Sequence, residues 1–213
     1  MFRLLKIFLT AIFSLGFFSV NNSYSQDITG WGLNVGATYN SFRGNDYTDF
    51  LTFEIGYLAG IGYRTNMASN LNLNINLNYE LKAYKLDMAV PFGEREILFE
   101  YFNRYHYVNF PVVFEVPFDR ERVWSFELGT YVNYLFAESL EVDNIIPGFR
   151  KLDYGILSGF GRAIEINNNM AFHFQIRYEM GLVNTGENED GFPSGIDVRT
   201  SSVKLMLTWV FAR

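Results

Sequence analysis

Residues 70–82 alternate without a break. Leu71, Leu73, Ile75, Leu77, Tyr79 and Leu81 fall on one face, and Asn70, Asn72, Asn74, Asn76, Asn78, Glu80 and Lys82 on the other. Period two marks a strand whose two faces meet different media. A helix would scatter both sets around its circumference, and Asn is a poor helix former. The same alternation recurs along the chain. Trp31, Leu33, Val35, Ala37 and Tyr39 define a first strand, and Leu51, Phe53, Ile55, Tyr57, Ala59, Ile61 and Tyr63 a second. After the 70–82 strand come Val108–Val116, Trp124–Tyr134, a glycine-rich segment at Tyr154–Ile166, Phe172–Leu182 and Val203–Phe211. The pattern predicts eight antiparallel strands and no domain boundary.

The connections alternate in length. Tight turns are expected at Arg64–Ser69, Pro117–Arg122 and Asn167–Asn169, and longer links near Ser41–Asp49, Ala89–Glu96, Ala137–Leu152 and Asn184–Val198. Short turns on one side and long loops on the other are the asymmetry of outer-membrane barrels. The face chemistry points the same way. The polar face carries Asn, Gly, Ser and Thr with few charges, as suits the inside of a narrow barrel. The apolar face is bulky and aromatic, which lipid tolerates without limit on volume. A soluble barrel or sandwich would bury the apolar face and show water a charged one. Trp31, Tyr63, Tyr134 and Trp209 stand near strand ends, where interfacial girdles form. The fold expected is therefore all-β: an eight-stranded antiparallel transmembrane β-barrel of the outer membrane.

The first residues form an address. Arg3 and Lys6 precede an apolar run from Ile7 to Val20, followed by Ser23 and Ser25 at the positions that a signal peptidase reads. Cleavage after Ser25 divides the chain into a signal peptide, 1–25, and a barrel domain, 26–213. No cysteine follows, so a lipoprotein anchor is excluded. The mature chain then has 15 basic against 23 acidic residues, about −8.

Composition narrows the chemistry. The 14 Tyr and 22 Phe are a heavy aromatic load for a soluble core. An acidic balance with no Lys/Arg cluster argues against nucleic acid as a partner. The lack of cysteine removes disulfides, thiolate metal sites and cysteine nucleophiles. After the leader, no stretch is long and apolar enough to cross a membrane as a helix.

Several segments resemble the small outer-membrane β-barrel family of Bacteroidota, the porin-like or PorT-like barrels. They are Tyr107-Val108-Asn109-Phe110-Pro111-Val112-Val113-Phe114, Phe126-Glu127-Leu128-Gly129-Thr130-Tyr131-Val132, Asp153 to Gly161, and Arg177-Tyr178-Glu179-Met180-Gly181-Leu182-Val183-Asn184. The last strand ends Trp209-Val210-Phe211, similar to the aromatic ending read by the barrel-assembly machinery, although Ala212 and Arg213 follow. The resemblance implies eight strands and a periplasmic N-terminus. Its best-known group takes part in type IX secretion, so a secretion-system protein is an implied partner.

Alternation points Glu54, Glu80, Lys82, Glu127, His173, Arg177, Glu179 and Lys204 into the lumen. Charges there need partners, because an unpaired buried ion is very costly. A plug of ion pairs and Asn hydrogen bonds is expected, with a narrow conducting path as the alternative. Gly32, Gly36, Gly56, Gly60 and Gly62 leave room for larger groups from neighbouring strands. The strands at 70–88 and 97–117 exceed the roughly 9–11 residues a bilayer crossing needs. They predict a hairpin above the outer surface, whose Phe92, Phe99, Tyr101 and Phe102 either bind a partner or stack on one another across the hairpin. His106, beside Arg104, is placed to touch lipopolysaccharide headgroups. The acidic stretch with Glu187, Glu189, Asp190 and Asp197 matches no calcium loop. No nucleophile elbow, metal-ligand spacing or phosphate loop appears, so no enzyme, cofactor or metal is expected. The expected role is a structural or interaction component of the outer membrane, with a passive pore second and a lipid-modifying enzyme a distant third.

Overall fold

A computed structural model describes residues 29–44, 51–92, 95–139, 149–167, 169–185 and 197–212, with the side chains of 51–53, 86–101 and 212 left out. The leader and the acidic residues 187–190 lie outside the described residues.

The described residues form nine strands: β1 Gly30–Gly44, β2 Leu51–Phe53, β3 Ile55–Ala68, β4 Leu71–Phe92, β5 Arg95–Pro117, β6 Trp124–Ser139, β7 Leu152–Asn167, β8 Met170–Gly181 and β9 Val198–Ala212. β2 and β3 are one strand interrupted at Glu54, since both pair with β4. Every pairing is antiparallel. β4 pairs β5 and β1 pairs β9, so the ring of eight closes on itself.

Register sets the width of that ring. Partners run from Trp31 through Tyr63, Ile75, Val112, Thr130, Ile156, Met180 and Ser201 and return to β1 at Ser41, a stagger of ten residues. Eight strands with that stagger, at ~3.3 Å per residue and ~4.7 Å between strands, tilt by roughly 41° around a backbone radius of about 8 Å. Inward side chains fill a tube of that width.

The alternation decides which face is which. Leu33, Val35, Ile61, Leu77, Leu128 and Ile176 point outward and are exposed, Leu128 by 56%. Asn34, Asn76, Asn78, Asn109 and Asn133 point inward and are buried. A soluble protein would reverse these sets. All three tryptophans, Trp31, Trp124 and Trp209, sit on the outer face at the end where the chain enters and leaves the ring. Trp31 meets Tyr63 edge-on at 5.2 Å, and Arg162 lies over Trp124 at 5.1 Å. Exposed Tyr39, Tyr57, Tyr134 and Tyr154 mark the opposite end. An apolar band with an aromatic girdle at each edge is the profile of a bilayer-spanning barrel.

Short turns join β3 to β4, β5 to β6 and β7 to β8 at the tryptophan end; the long connections lie at the other. The turn expected at Arg64–Ser69 is shorter than its sequence suggests. β3 continues to Ala68, with a register shift at Asn66–Ala68, and Arg64 belongs to the lumen wall. The link expected at Ala89–Glu96 is mostly strand, because β4 runs to Phe92 and β5 resumes at Arg95. From Asp87 onward β4 pairs with β5 alone, so these two strands leave the ring as a hairpin.

Candidate functional site

The lumen concentrates the chain's buried charge. At the turn end, Arg64 Nη2 lies 2.8 Å from Glu115 Oε2, and Glu115 Oε1 lies 3.2 Å from His173 Nδ1. Glu127 accepts from Arg177 Nε at 2.6 Å and from Gln175 Nε2 at 3.0 Å. Midway up, Lys204 Nζ lies between Glu80 at 2.7 Å and Glu179 at 2.8 Å. Nearer the loop end, Lys82 Nζ is 4.0 Å from Asp153 and 5.0 Å from the centre of the Tyr107 ring. These groups come from different strands. Each is carried inward by the same period that turns its neighbours toward lipid.

A row of amides joins the layers. Asn34 Nδ2 donates to Asn78 Oδ1 at 3.0 Å, Asn78 to Asn109 at 3.1 Å, Asn109 to Asn133 at 2.7 Å, and Asn133 to the Asp153 carboxylate at 3.2 Å. Thr208 Oγ1 donates to Asn34 Oδ1 at 2.9 Å at one end of the row, and Thr200 Oγ1 to Asp153 at 2.8 Å at the other. Asparagine suits this task because it both accepts and donates across neighbouring strands. Gly60 makes the row possible between β1 and β4. A Cβ there would run into the Leu77 carbonyl and the Asn78 amide oxygen.

Above the polar layers the lumen turns aromatic. Phe42, Tyr84, Tyr105, Tyr107 and Leu135 point inward from the wall and are buried with Phe149 and Val198. Phe149 precedes β7 and stands on the connection from β6. Its ring stacks on Phe42 at 4.9 Å and meets Tyr105 edge-on at 4.9 Å. One end of the lumen is thus stoppered by aromatic rings and the rest is filled by ion pairs and amides. At the turn end, a cavity of about 10 Å³ lined by Gly32, Gly62, Arg64, His173 and Gln175 has room for about one water.

Seven of the eight charges expected inside are buried there: Glu80, Lys82, Glu127, His173, Arg177, Glu179 and Lys204. Glu54 is not. It stands in the break between β2 and β3 and is only half-buried, because the interruption of the strand takes it out of the alternation. Sequence reasoning missed Arg64, Glu115 and Asp153. Glu115 was legible, lying opposite Phe114 and Val116 in the alternation, whereas Arg64 was hidden by a turn placed too early and Asp153 by the glycine-rich facing of its strand. The hairpin residues Phe92, Phe99 and Tyr101 are strand by backbone, but their side chains lie outside the described residues. Phe102 is exposed. His106 faces outward and hydrogen-bonds Tyr79 through Nδ1 at 2.7 Å, with Phe136 beside it. Asp197 forms an exposed pair with Arg199 at 3.0 Å.

Chemically, the lumen holds charge in mutually paired groups. Ser125 Oγ and His173 Nε2 are both buried, but neither makes a hydrogen bond, so they do not form a nucleophile–base pair. Among the described residues, Glu115, Glu127 and His173 are the group that brings metal-type donors together.

A family model described as "Outer membrane protein beta-barrel domain" matches residues 24–186. No curated protein matches the sequence. Among solved structures the chain is similar to Neisserial surface protein A, at 12% identity over 85% of this chain and 97% of that one, TM-score 0.47. It is also similar to OprG from Pseudomonas aeruginosa, at 13% identity over 87% and 94%, TM-score 0.44. A third is AlkL, solved in lipid bilayers, at 11% identity over 90% and 94%, TM-score 0.49.

Proposed function

Since the chain belongs to the outer membrane protein β-barrel domain family, we propose that it is a closed, non-conducting barrel that works by presenting its loop end to a partner. One observation carries this: the lumen is occupied along its length, by ion-paired charges below and by the Phe42–Phe149 stack above. A barrel of about 8 Å backbone radius has little width beyond its own inward side chains, and here those side chains engage one another. What remains for work is the surface.

The turn end, with its tryptophans and both ends of the ring, faces the periplasm, and residues 1–25 are the signal removed on export. Lipopolysaccharide surrounds the loop-end half, the barrel-assembly machinery inserts the chain, and no catalysis takes place. The β4–β5 hairpin, 22 and 23 residues long, extends past the ring and is the surface offered to a partner. The resemblance to PorT-like barrels makes a secretion-system protein the partner of choice.

The test is site-specific cross-linking in the source cell. Wild type should give a discrete cross-linked partner through residues 92–102, and Phe99→Ala with Tyr101→Ala should lose it while the barrel still folds. An unchanged cross-linked partner in the double variant would show that these two hairpin aromatics do not bind it.

A further inference from the structure

Four donors meet at the turn end of the lumen, and two of them, His173 Nε2 and Ser125 Oγ, take no part in the ion-pair plug. Gly161 on β7 leaves a notch in the wall. A Cβ built there would stand 2.7 Å from His173 Nε2, 3.0 Å from Ser125 Oγ and 3.2 Å from Glu127 Oε1. His173 and Ser125 are at most 1% exposed, and His173 Nε2 and Ser125 Oγ have no hydrogen-bond partner. Such orphaned buried groups ordinarily cost stability, so each asks for an occupant. Glu115 closes the group from β5. One donor atom each from Glu115, Glu127 and His173 lies within 4.8 Å of the other two.

We propose that this notch is a binding site for a divalent transition-metal ion of the zinc type, held by His173 Nε2 and Glu127 with Ser125 and water completing the shell. An imidazole nitrogen with carboxylate oxygen selects zinc-like ions over calcium or magnesium, which prefer oxygen alone. Glu115 supplies the supporting contact. Its Oε1 lies 3.2 Å from His173 Nδ1 without an aligned hydrogen bond, and Gln175 Nε2 stands 3.0 Å from the same nitrogen. An ion at Nε2 therefore requires the imidazole proton to move to Nδ1 and that nitrogen to turn from Gln175 toward Glu115, the usual arrangement behind a metal-bound histidine.

Charge decides whether an ion is tolerated beside Arg64 and Arg177. Among the described residues the lumen buries five carboxylates (Glu80, Glu115, Glu127, Asp153 and Glu179) against four fixed cations (Arg64, Lys82, Arg177 and Lys204). A divalent ion takes this balance from −1 to +1, no further from neutrality than before. Arg64 comes within 2.8 Å of Glu115 but without an aligned hydrogen bond, so Glu115 is not fully committed to it. The adjoining cavity reaches Gly30 at the start of β1, which provides a route from the turn end.

The full chain, refolded in detergent, is titrated with Zn²⁺ by equilibrium dialysis and with Co²⁺ by visible absorption. Wild type should bind one ion, and bound Co²⁺ should show the d–d bands of a nitrogen–oxygen site. Gly161→Ala fills the notch without removing a ligand, and His173→Gln removes the nitrogen. Each should weaken binding at least tenfold with the folded-barrel gel mobility retained. Absence of saturable binding to the wild-type barrel, or equal binding by folded Gly161→Ala, overturns the site. If both variants fail to fold, the wild-type Co²⁺ spectrum decides: a hexaaqua-like spectrum contradicts the proposal and a perturbed one supports it.

Discussion

Phe149 stacks on Phe42 at 4.9 Å with the two rings 12° from parallel, so a residue from a connecting segment seals a lumen built by strands. The wall supplies Tyr84 and Tyr105 around the same point. Truncating the stopper leaves an apolar hole but not a pore, because the ion pairs lie beneath it. Phe149→Ala should destabilise the folded barrel by up to about 3–5 kcal/mol, the usual cost of deleting a buried phenyl ring. The barrel should remain closed to ions. Unfolding in urea and bilayer recording on the same preparation check both halves.

Lys204 holds two carboxylates, Glu80 and Glu179, from two different strands. Lys204→Met strands both and should cost about 3–5 kcal/mol, as breaking a buried pair does. Adding Glu80→Gln and Glu179→Gln should recover most of that loss, since no unpaired charge then remains. If the triple variant is no more stable than Lys204→Met in urea titration, the lysine's role is not electrostatic.

Leu77 lies within the apolar band, with Asn76 and Asn78 on either side of it in the strand facing inward. Leu77→Arg should cost about 2–4 kcal/mol when the chain folds into lipid vesicles, the penalty for a cation near the bilayer midplane. Leu77→Ala should cost less. A harmless arginine there would mean that this face does not meet lipid.

Asn109 sits mid-row, accepting from Asn78 and donating to Asn133. Asn109→Ala leaves an orphaned donor on one side and an orphaned acceptor on the other, at about 1–3 kcal/mol. Asn109→Asp keeps the acceptor but removes the donor and adds a buried charge, so it should be the worse of the two. Equal stabilities by thermal gel shift would show that the row adds nothing.

Much of this was written in the chain. The run Leu71–Lys82 announces a strand and both its faces, because side-chain period two needs no tertiary information. The orientation toward lipid followed from volume and chemistry, bulky aromatics outside and Asn and Gly inside. Strand ends were less legible. Arg64 reads as a turn residue, yet β3 carries it into the lumen opposite Glu115, a pairing across strands that no local pattern encodes. Phe149 was invisible for the same reason: its place depends on a loop folding back onto β1 and β4 residues distant in sequence. Glu54 misled in the opposite sense, since alternation cannot foresee a strand that breaks.

Closure of the lumen is read out by single-channel recording of the refolded wild-type barrel in planar bilayers. A closed lumen gives no resolved conductance steps at moderate voltage from preparations whose gel mobility shows complete folding. Reproducible open steps of uniform size, lost on unfolding, would contradict it and make the ion-paired lumen a conducting path.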